Sequence, residues 1–384
     1  MTSHPTSGGS LIVTRLAWIA VAILTALLTL GTLITTYRVG MVDPIWPTEP
    51  WFLLNNWHEP SAGYLIEHIH RVAGYLAGLA ILATVLAAWH KAPIVVGWIP
   101  LLLISVGIAI SMTSIDRVKA RVDPIGAVNL SSLYGGLALA SLSFLVVLSG
   151  WFMRADGSDS GRYTRLAALL AYGAVIVQGL LGGLRVYLNA LMGDTLATIH
   201  GGFGQCVMAL ATTTAVLASL NHYQFAEQIT AKRMARFLGF LLIAVLMQLA
   251  WAVVVRHQGS GWAQRLHVLF AVLISGGLGM AAVMAREEGA RHLRPIIMSL
   301  TAVLLVQVTL GVEAWMGKFG TGMPVAPEAR TAMEALLRTS HSLIGALFLS
   351  MAASAWVRSL LPAIVPSNCH KTTNSHAITE GAFQ

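Results

Sequence analysis

Ten long apolar segments restrict the fold of this chain to a bundle of membrane-spanning helices. Hydrophobic residues make up 56% of the 384 residues, charged residues only 10%, and the mean hydropathy is +0.72. About 20 apolar residues let a helix cross a bilayer, where the backbone must satisfy its own hydrogen bonds. We therefore expect an all-α polytopic bundle with about ten spans. The predicted spans are 11–36, 64–89, 94–114, 127–152, 165–188, 195–219, 235–256, 262–285, 294–316 and 333–360.

Charge and cysteine content exclude two classes of function. The formal net charge of +8 would suggest nucleic-acid binding in a soluble protein. Here the basic residues are expected near anionic lipid headgroups and cofactor carboxylates, so no nucleic-acid partner is predicted. Cys206 and Cys369 form no CxxC pair and predict no thiolate metal site. Lys and Arg in the loops favour cytoplasmic N- and C-termini by a small margin, and the polar tail at 363–384 is predicted to be disordered.

An internal repeat links the two halves of the sequence. The segment VIVQGLLGGLRV around Gln178 is similar to LLVQVTLGVEAW around Gln307, and Gln248 stands in a fainter third copy. Four residues after the first two glutamines stand Gly182 and Gly311, where a small residue allows a helix or a flat macrocycle to approach closely. Helix packing is the simpler interpretation of these glycines.

The repeat predicts two units of four helices each. The first unit comprises residues 1–93 and 153–220, and the second comprises residues 221–362. Residues 94–152 have no counterpart in the second unit, and we interpret them as an inserted helix pair. Because the pair adds an even number of spans, it leaves the topology of the following helices unchanged.

Four histidines stand one to two turns into apolar helices at equivalent positions of the repeat. They are His70, His200, His267 and His341. An ionisable side chain inside a bilayer is expensive, so its repetition at one depth indicates a function. Imidazole is a good iron ligand when its second nitrogen is held by a hydrogen bond. The pairs His70–His200 and His267–His341 therefore predict two haem sites. A hydrogen bond to a neighbouring helix is the alternative for any single histidine, and zinc is disfavoured because each pair lacks the remaining tetrahedral ligands.

Arginines accompany the histidines on the same side of the predicted bundle. Arg71, Arg265 and Arg338 lie within three residues of a histidine, and Arg185 ends the fifth span. Guanidinium groups bind carboxylates in a bidentate manner, as haem propionates would require. The alternative is ordinary snorkelling of boundary arginines toward the membrane interface.

Glu67 distinguishes the first unit from the second. It precedes His70 by three residues and so shares a helix face with it. The equivalent position before His267 is Gln264, which cannot ionise. A carboxylate beside a haem edge can accept a proton during oxidation, so we predict a reacting site in the first unit and a passive cofactor site in the second. A structural pair with Arg71 or His68 at the membrane interface is the alternative. The aromatic, Pro-rich loop at about 40–64 is predicted to cover this site or to form an interfacial belt.

These features together resemble the haem A synthase family. The resemblance covers most of the chain except 94–152 and the tail. The matching motifs are Glu67-x-x-His70-Arg71, VQGLLGGLRV with His200, RLH with His267, and VQVTLGV with His341. Two departures are ten spans where many members have eight, and the lack of the cysteine pair that some members carry in the first outer loop.

The resemblance implies an enzyme that oxidises the C8 methyl of haem O to a formyl group through hydroxylated intermediates. Glu67 would be the essential acid. The first unit would bind haem O with His70, His200, Arg71 and Arg185, and the second would bind haem b with His267, His341, Arg265 and Arg338. The chain would lie in the plasma membrane of a bacterium. Haem O synthase would be a candidate partner and a homo-oligomer a candidate assembly.

Two other functions fit parts of the same pattern. A di-haem b-type electron carrier linked to quinone would use both histidine pairs, but it would not need the difference between Glu67 and Gln264. A transporter would explain the internal repeat. However, no helix pair is interrupted by Gly or Pro at the midplane, and the histidines lie off-centre.

Overall fold

The structure of the chain, a computed structural model, describes twelve ranges or single residues. They are 8–43, 48, 61–90, 94–95, 97–114, 116, 123, 126, 128–153, 161–220, 232–319 and 328–360. The predicted disordered tail at 363–384 and most of the predicted covering loop at 40–64 lie outside the described residues. Within them the chain is α-helical and contains no β-strand, which confirms the all-α prediction.

Ten α-helices follow one another along the described chain. They are α1 Gly8–Tyr37, α2 Ala62–Ala88, α3 Trp98–Thr113, α4 Leu130–Met153, α5 Arg162–Tyr187, α6 Asn189–Leu220, α7 Lys232–Gln258, α8 Gly261–Met284, α9 Arg294–Phe319 and α10 Ala332–Leu360. Nine are long and apolar enough to cross a membrane, which confirms a multi-pass membrane protein. The exception is α3, whose 16 residues give a length of about 24 Å against a hydrocarbon core of about 30 Å.

Serine caps fix where two of the histidine helices begin. The hydroxyl of Ser61 accepts a hydrogen bond from the backbone N–H of Tyr64 at the start of α2. Ser260 does the same for Ala263 at the start of α8. A serine cap satisfies one of the unpaired N–H groups of the first turn. It thereby also fixes the depth of the histidine that follows one to two turns later.

The helices pack as two rings of four. In the first ring α1 contacts α2, α2 contacts α5, α5 contacts α6, and α6 returns to α1; in the second, α7, α8, α9 and α10 repeat this order. Each ring has its own cluster of buried apolar side chains. The rings meet where α6 contacts α10 and α7, and where α1 contacts α10. These contacts map onto each other when the rings are exchanged. The residue boundaries predicted for the two units remain a prediction.

All four histidines lie at one end of the bundle, which we call the histidine end. Thr36, near the end of α1, faces Thr339 near the start of α10 with 3.5 Å between their hydroxyl oxygens. Gln258, at the end of α7, donates a hydrogen bond of 3.3 Å to Thr198 near the start of α6. Helices α1 and α7 therefore end where α6 and α10 begin. Which side of the membrane this end faces follows only from the loop charges above.

The inserted pair forms a tight hairpin on the first ring. A methyl group added at Gly107 of α3 would lie 2.5 Å from the carbonyl oxygen of Gly136 in α4, so the two backbones are in direct contact. Leu101 and Ile104 of α3 are almost fully buried and belong to the apolar cluster of the first ring. The indole of Trp151 in α4 donates a hydrogen bond to the carbonyl of Arg162 at the start of α5.

Candidate functional site

A cavity of about 540 Å³ lies inside the first ring. Its size is in the range typical of sites for small molecules and cofactors. All five residues that the sequence assigned to the first unit line this cavity: Glu67, His70, Arg71, Arg185 and His200. Most of the remaining wall is apolar. The first unit thus combines a few convergent polar groups with an apolar enclosure.

Three of the four histidines contact the preceding helix in the same way. In each, the imidazole lies against a backbone carbonyl of that helix, and we call this position the histidine seat. Nδ1 of His70 lies 3.1 Å from the carbonyl oxygen of Leu27, and Nδ1 of His341 lies 3.2 Å from that of Gln307. Nδ1 of His267 lies 3.4 Å from the carbonyl oxygen of Gln248. A carbonyl can only accept a hydrogen bond, so Nδ1 carries the proton and Nε2 keeps its lone pair. This is the arrangement that a metal-binding imidazole requires.

His200 is held differently. The amide nitrogen of Gln178 donates a hydrogen bond of 2.9 Å to the backbone carbonyl of His200 itself, and it lies 3.5 Å from the imidazole Nε2. Nδ1 of His200 is buried and has no hydrogen-bond partner. The ring nevertheless occupies the equivalent place on the preceding helix, with the backbone of Gln178 and Gly182 beside it.

A small residue packs against each imidazole. It follows by four residues the residue of the preceding helix that contacts the histidine, which is Leu27 for His70 and a glutamine for the others. A methyl group at Gly31 would lie 3.0 Å from Cε1 of His70, and one at Gly311 would lie 2.9 Å from Cε1 of His341. At Gly182 the corresponding distance to His200 is 3.3 Å. Gly182 and Gly311 thus leave room for an imidazole, which the sequence analysis had not singled out as their role. It missed Gly31 entirely because Leu27 replaces the glutamine of the motif.

The second pair of histidines faces one another directly. The ring centres of His267 and His341 are 6.2 Å apart, and the ring planes are inclined by 79°. Two imidazoles that share one metal ion have their centres roughly 6 Å apart, since each metal–nitrogen bond is about 2 Å and each ring centre lies about 1 Å behind its nitrogen. The separation of the two ring centres is therefore compatible with two imidazoles that bind one metal ion.

A two-histidine set suits an ion that brings other ligands with it. Among the described residues, no group of three or more His, Cys, Asp or Glu side chains could hold a metal ion. The iron of a haem already has four porphyrin nitrogens and needs at most two from the protein. The donor set of this chain is thus compatible with haem, whereas a structural zinc site needs four protein ligands.

Glu67 is buried and accepts three hydrogen bonds. Its carboxylate accepts from the backbone N–H groups of Met41 and Asp43 at 2.9 and 2.8 Å, and from Arg71 at 2.6 Å. Only 3% of the residue is exposed. Glu67 therefore anchors the segment that follows α1 onto α2. It also lines the cavity, so the carboxylate has a structural partner set and access to a ligand.

Asp43 and His68 complete this buried cluster; the sequence analysis did not identify Asp43, and it named His68 only as an alternative partner of Glu67. Nδ1 of His68 lies 3.2 Å from the carboxylate of Asp43. Arg71 donates a hydrogen bond of 2.8 Å to the backbone carbonyl of Asp43 and lies 3.6 Å from its carboxylate. Asp43 and His68 are each 1% exposed. The signal was present in EHIHR, where His68 stands two residues from His70 and so on another face of α2.

Among the predicted arginines, Arg185 is the best placed to bind an anionic group. It borders the cavity beside Gly40, where an added methyl group would lie 3.1 Å from its Nη2. Its Nε is buried and has no hydrogen-bond partner. Arg71, by contrast, is already engaged by Glu67 and Asp43.

The two arginines predicted for the second unit have other surroundings. Arg338 forms an ion pair with Glu334, one turn earlier on α10. Arg265 is exposed. It precedes His267 by two residues, and residues two positions apart are separated by about 200° around the helix axis. Arg265 and His267 therefore lie on different faces of α8. Their assignment to a cofactor stays a prediction.

Arg256 and His257 extend from α7 of the second ring into the cavity of the first. Arg256 donates hydrogen bonds to the carbonyl of Thr32 at 2.9 Å, to the hydroxyl of Thr36 at 3.1 Å and to the hydroxyl of Ser342. Nε2 of His257 would lie 3.0 Å from a methyl group at Gly201. Since Ser342 follows His341, this arginine connects the two candidate sites. The sequence analysis did not single out Arg256.

Comparison with known proteins adds no assignment to this geometry, because no protein-family model and no curated protein matches the chain.

Proposed function

We propose that this protein is a membrane-bound oxidoreductase that converts haem O to haem A, with haem b as its cofactor. The first ring would take haem O between His70 and His200, and the second would hold haem b between His267 and His341. The observation that carries the proposal is the repetition of one histidine seat in two rings, with Glu67 three residues before the histidine of α2 where α8 has Gln264. A carrier of electrons alone would not need this asymmetry.

The residues of the second ring are suited to hold a redox cofactor. When bound there, haem b would supply a one-electron redox centre. The chain would hold the two ring nitrogens of His267 and His341 in place through the carbonyls of Gln248 and Gln307. Arg256 places a fixed positive charge between this pair and the cavity of the first ring.

The residues of the first ring are suited to orient a carboxylate-bearing substrate and to move a proton. Arg185 would bind a propionate of haem O, which orients the macrocycle relative to Glu67. Conversion of the C8 methyl to a formyl group with an oxygen atom from water would release four protons and four electrons, and the electrons would leave to an acceptor outside this chain. Glu67, which accepts its present hydrogen bonds as a carboxylate, would take up such a proton, and the apolar wall would exclude bulk water.

Membrane position and partners complete the proposal. A multi-pass protein with both termini in the cytoplasm would place the histidine end near the outer leaflet of a bacterial plasma membrane. Haem O would arrive from the lipid phase, and haem O synthase is the candidate donor. A homo-oligomer is the candidate assembly.

The test is extraction of haems from the purified protein followed by chromatography. Haem B together with haem O or haem A supports the proposal, and added haem O should be converted to haem A. Haem B alone, at two equivalents per chain, would instead support the di-haem b-type electron carrier linked to quinone. One observation favours that second candidate: the carboxylate of Glu67 already accepts three hydrogen bonds from the protein.

A further inference from the structure

Arg256 is a cation that reaches across the boundary between the two rings. It stands in the last turn of α7, where a positive charge complements the helix dipole and a boundary arginine commonly extends outward to the membrane interface. Its guanidinium instead turns inward and donates hydrogen bonds to Thr32 and Thr36 of α1 and to Ser342 of α10. The side chain also lines the cavity of the first ring. A residue of the second ring thus forms part of the wall of the first.

The hydrogen bonds of Arg256 leave its charge without a carboxylate. Its three acceptors are one backbone carbonyl and two hydroxyls, all of them neutral. None of the described aspartates and glutamates forms an ion pair with it. A guanidinium has five N–H donors, and these bonds use three of them. Because a partly buried charge without a counter-ion is costly, the cavity beside Arg256 is suited to a ligand that carries a carboxylate.

Arg256 departs from the repeat that relates the two rings. Gly31 on α1 and Ala252 on α7 occupy equivalent positions in the histidine seats, and four residues further along stand Thr35 and Arg256. The hydroxyl of Thr35 donates a hydrogen bond of 3.0 Å to the carbonyl of Gly31 in its own helix and so links no second helix. Glu67, which stands where the second ring has a glutamine, lines the same cavity as Arg256. Both ionisable departures from the repeat therefore lie at the cavity of the first ring.

Ser342 brings the charge of Arg256 close to the second ring. It accepts a hydrogen bond from Arg256 and follows His341 directly in the chain. A unit charge roughly 10 Å from a redox centre changes its one-electron equilibrium roughly tenfold at an effective dielectric constant of about 20. A positive charge favours the reduced form of an iron centre, and a carboxylate that neutralises this charge favours the oxidised form. A ligand bound in the first ring can therefore act on a cofactor in the second.

We propose that Arg256 couples the two rings: it binds a carboxylate of the macrocycle in the first ring and thereby lowers the reduction potential of the haem in the second. This inference rests on the proposed function, which gives each ring a macrocycle. Because coupling between two sites is reciprocal, the first ring should bind its ligand about tenfold more tightly when the haem of the second ring is ferric than when it is ferrous. The ligand thus binds best to the form of the second ring that is able to accept an electron.

The test uses a macrocycle whose metal has no redox chemistry. Zinc protoporphyrin carries propionate carboxylates, and its dimethyl ester carries none that can ionise. The protein with haem b in its second ring is titrated electrochemically with and without each compound, and the haem is followed by its reduced-minus-oxidised absorbance. Zinc protoporphyrin should lower the potential of haem b by about 59 mV, which corresponds to a tenfold change for one electron. The ester should leave the potential unchanged.

Variants of Arg256 should remove or keep this response according to their charge. Without added macrocycle, haem b in Arg256→Gln should have a potential about 59 mV below that of the parent, a tenfold change. Zinc protoporphyrin should then bind about tenfold more weakly and leave the potential unchanged, whereas the affinity for the ester stays the same. Arg256→Lys, which keeps the charge, should retain the parental potential. Arg38→Gln is the matched control and should behave like the parent, because it removes the same charge from an exposed side chain at the end of α1, where water and salt screen it.

The outcomes separate the coupling from the proposed function. The coupling is overturned if zinc protoporphyrin does not bind the parent or leaves its potential unchanged. An equal shift by the ester, or a shift that persists in Arg256→Gln, would overturn it as well. The proposed function would survive each of these results if haem O were still converted to haem A, whereas a protein that holds no haem b would overturn both. The comparison of acid and ester needs only the parent, so it decides between these outcomes even if Arg256→Gln does not fold.

Discussion

Substitution of Gly311 by alanine should weaken cofactor binding in the second ring. The added methyl group would lie 2.9 Å from Cε1 of His341, whereas nonbonded carbons prefer about 3.5 to 4 Å. The imidazole must then retreat by roughly 0.5 Å, which stretches its 3.2 Å contact with the carbonyl of Gln307 beyond hydrogen-bond range. Overpacking costs about 1–3 kcal/mol and a lost hydrogen bond about 1 kcal/mol. Alanine regains up to about 1 kcal/mol of helix propensity.

Gly311→Ala should thus destabilise the native position of the His341 imidazole by about 2 kcal/mol. This corresponds to a roughly 30-fold loss of affinity for haem b. Gly279→Ala on α8 is the matched control, since nothing lies within 4 Å of a methyl group there. That control should leave haem b binding unchanged and slightly raise the thermal midpoint. The assay is displacement of haem b by apomyoglobin, followed by absorbance, in detergent micelles.

The effects of an alanine at the equivalent glycines should follow the distances from the added methyl group to the imidazole. Gly182→Ala should have a smaller effect on its own site, because its methyl group would lie 3.3 Å from Cε1 of His200. In the seat of His267 on α7, the position of the glycine is already occupied by Ala252. The contact from Nδ1 of His267 to the carbonyl of Gln248 is the longest of the three, at 3.4 Å. If Gly311→Ala binds haem b with the parental affinity, the close approach of helix and imidazole has no energetic role.

Three further predictions address the remaining assignments. Glu67→Gln should abolish haem A formation and leave haem B content unchanged, measured by haem chromatography. It should also lower the thermal midpoint by a few degrees, because an amide nitrogen cannot accept the N–H bonds that the carboxylate accepts; conversion at the parental rate would remove Glu67 from the mechanism. Replacement of His267 or His341 by Met should change a low-spin b-type spectrum, and an unchanged haem B content in the double variant would contradict the ligand assignment. Reporters fused at 116–125 and at 225–232 should report opposite sides of the membrane, external and cytoplasmic; the same side for both would show that the inserted pair does not cross twice.

The helices and the histidines could be predicted from the sequence because both depend on local patterns. Apolar length predicts a membrane helix almost irrespective of its neighbours, and the predicted spans match the ten observed helices closely. The repeat of Gln178 and Gln307 likewise located two of the four histidine seats. Only α3 differs from its predicted span, 94–114. Its helix has 16 residues, which is shorter than the length needed to cross the bilayer.

The contacts between segments distant in sequence could not be predicted in this way. The Asp43–His68 pair depends on how the chain folds back after α1, which no periodicity encodes. Arg256 reaches the first ring only because α7 contacts α6 and lies beside α1 and α10, a packing that the repeat alone does not specify. The ion pair of Arg338 with Glu334 was visible as an i,i+4 spacing. It was missed because the arginine had been assigned to a propionate.

The location of all four histidines at one end of two side-by-side rings has an energetic consequence. A charge that crosses the bilayer changes its free energy by about 2.3 kcal/mol for every 100 mV of membrane potential. An electron passing between the two histidine pairs would instead travel parallel to the membrane plane and do almost no work against that potential. Collapse of the potential by an ionophore should therefore leave the rate of electron exchange between the two rings unchanged in reconstituted vesicles. The exchange would run equally well in energised and in resting cells.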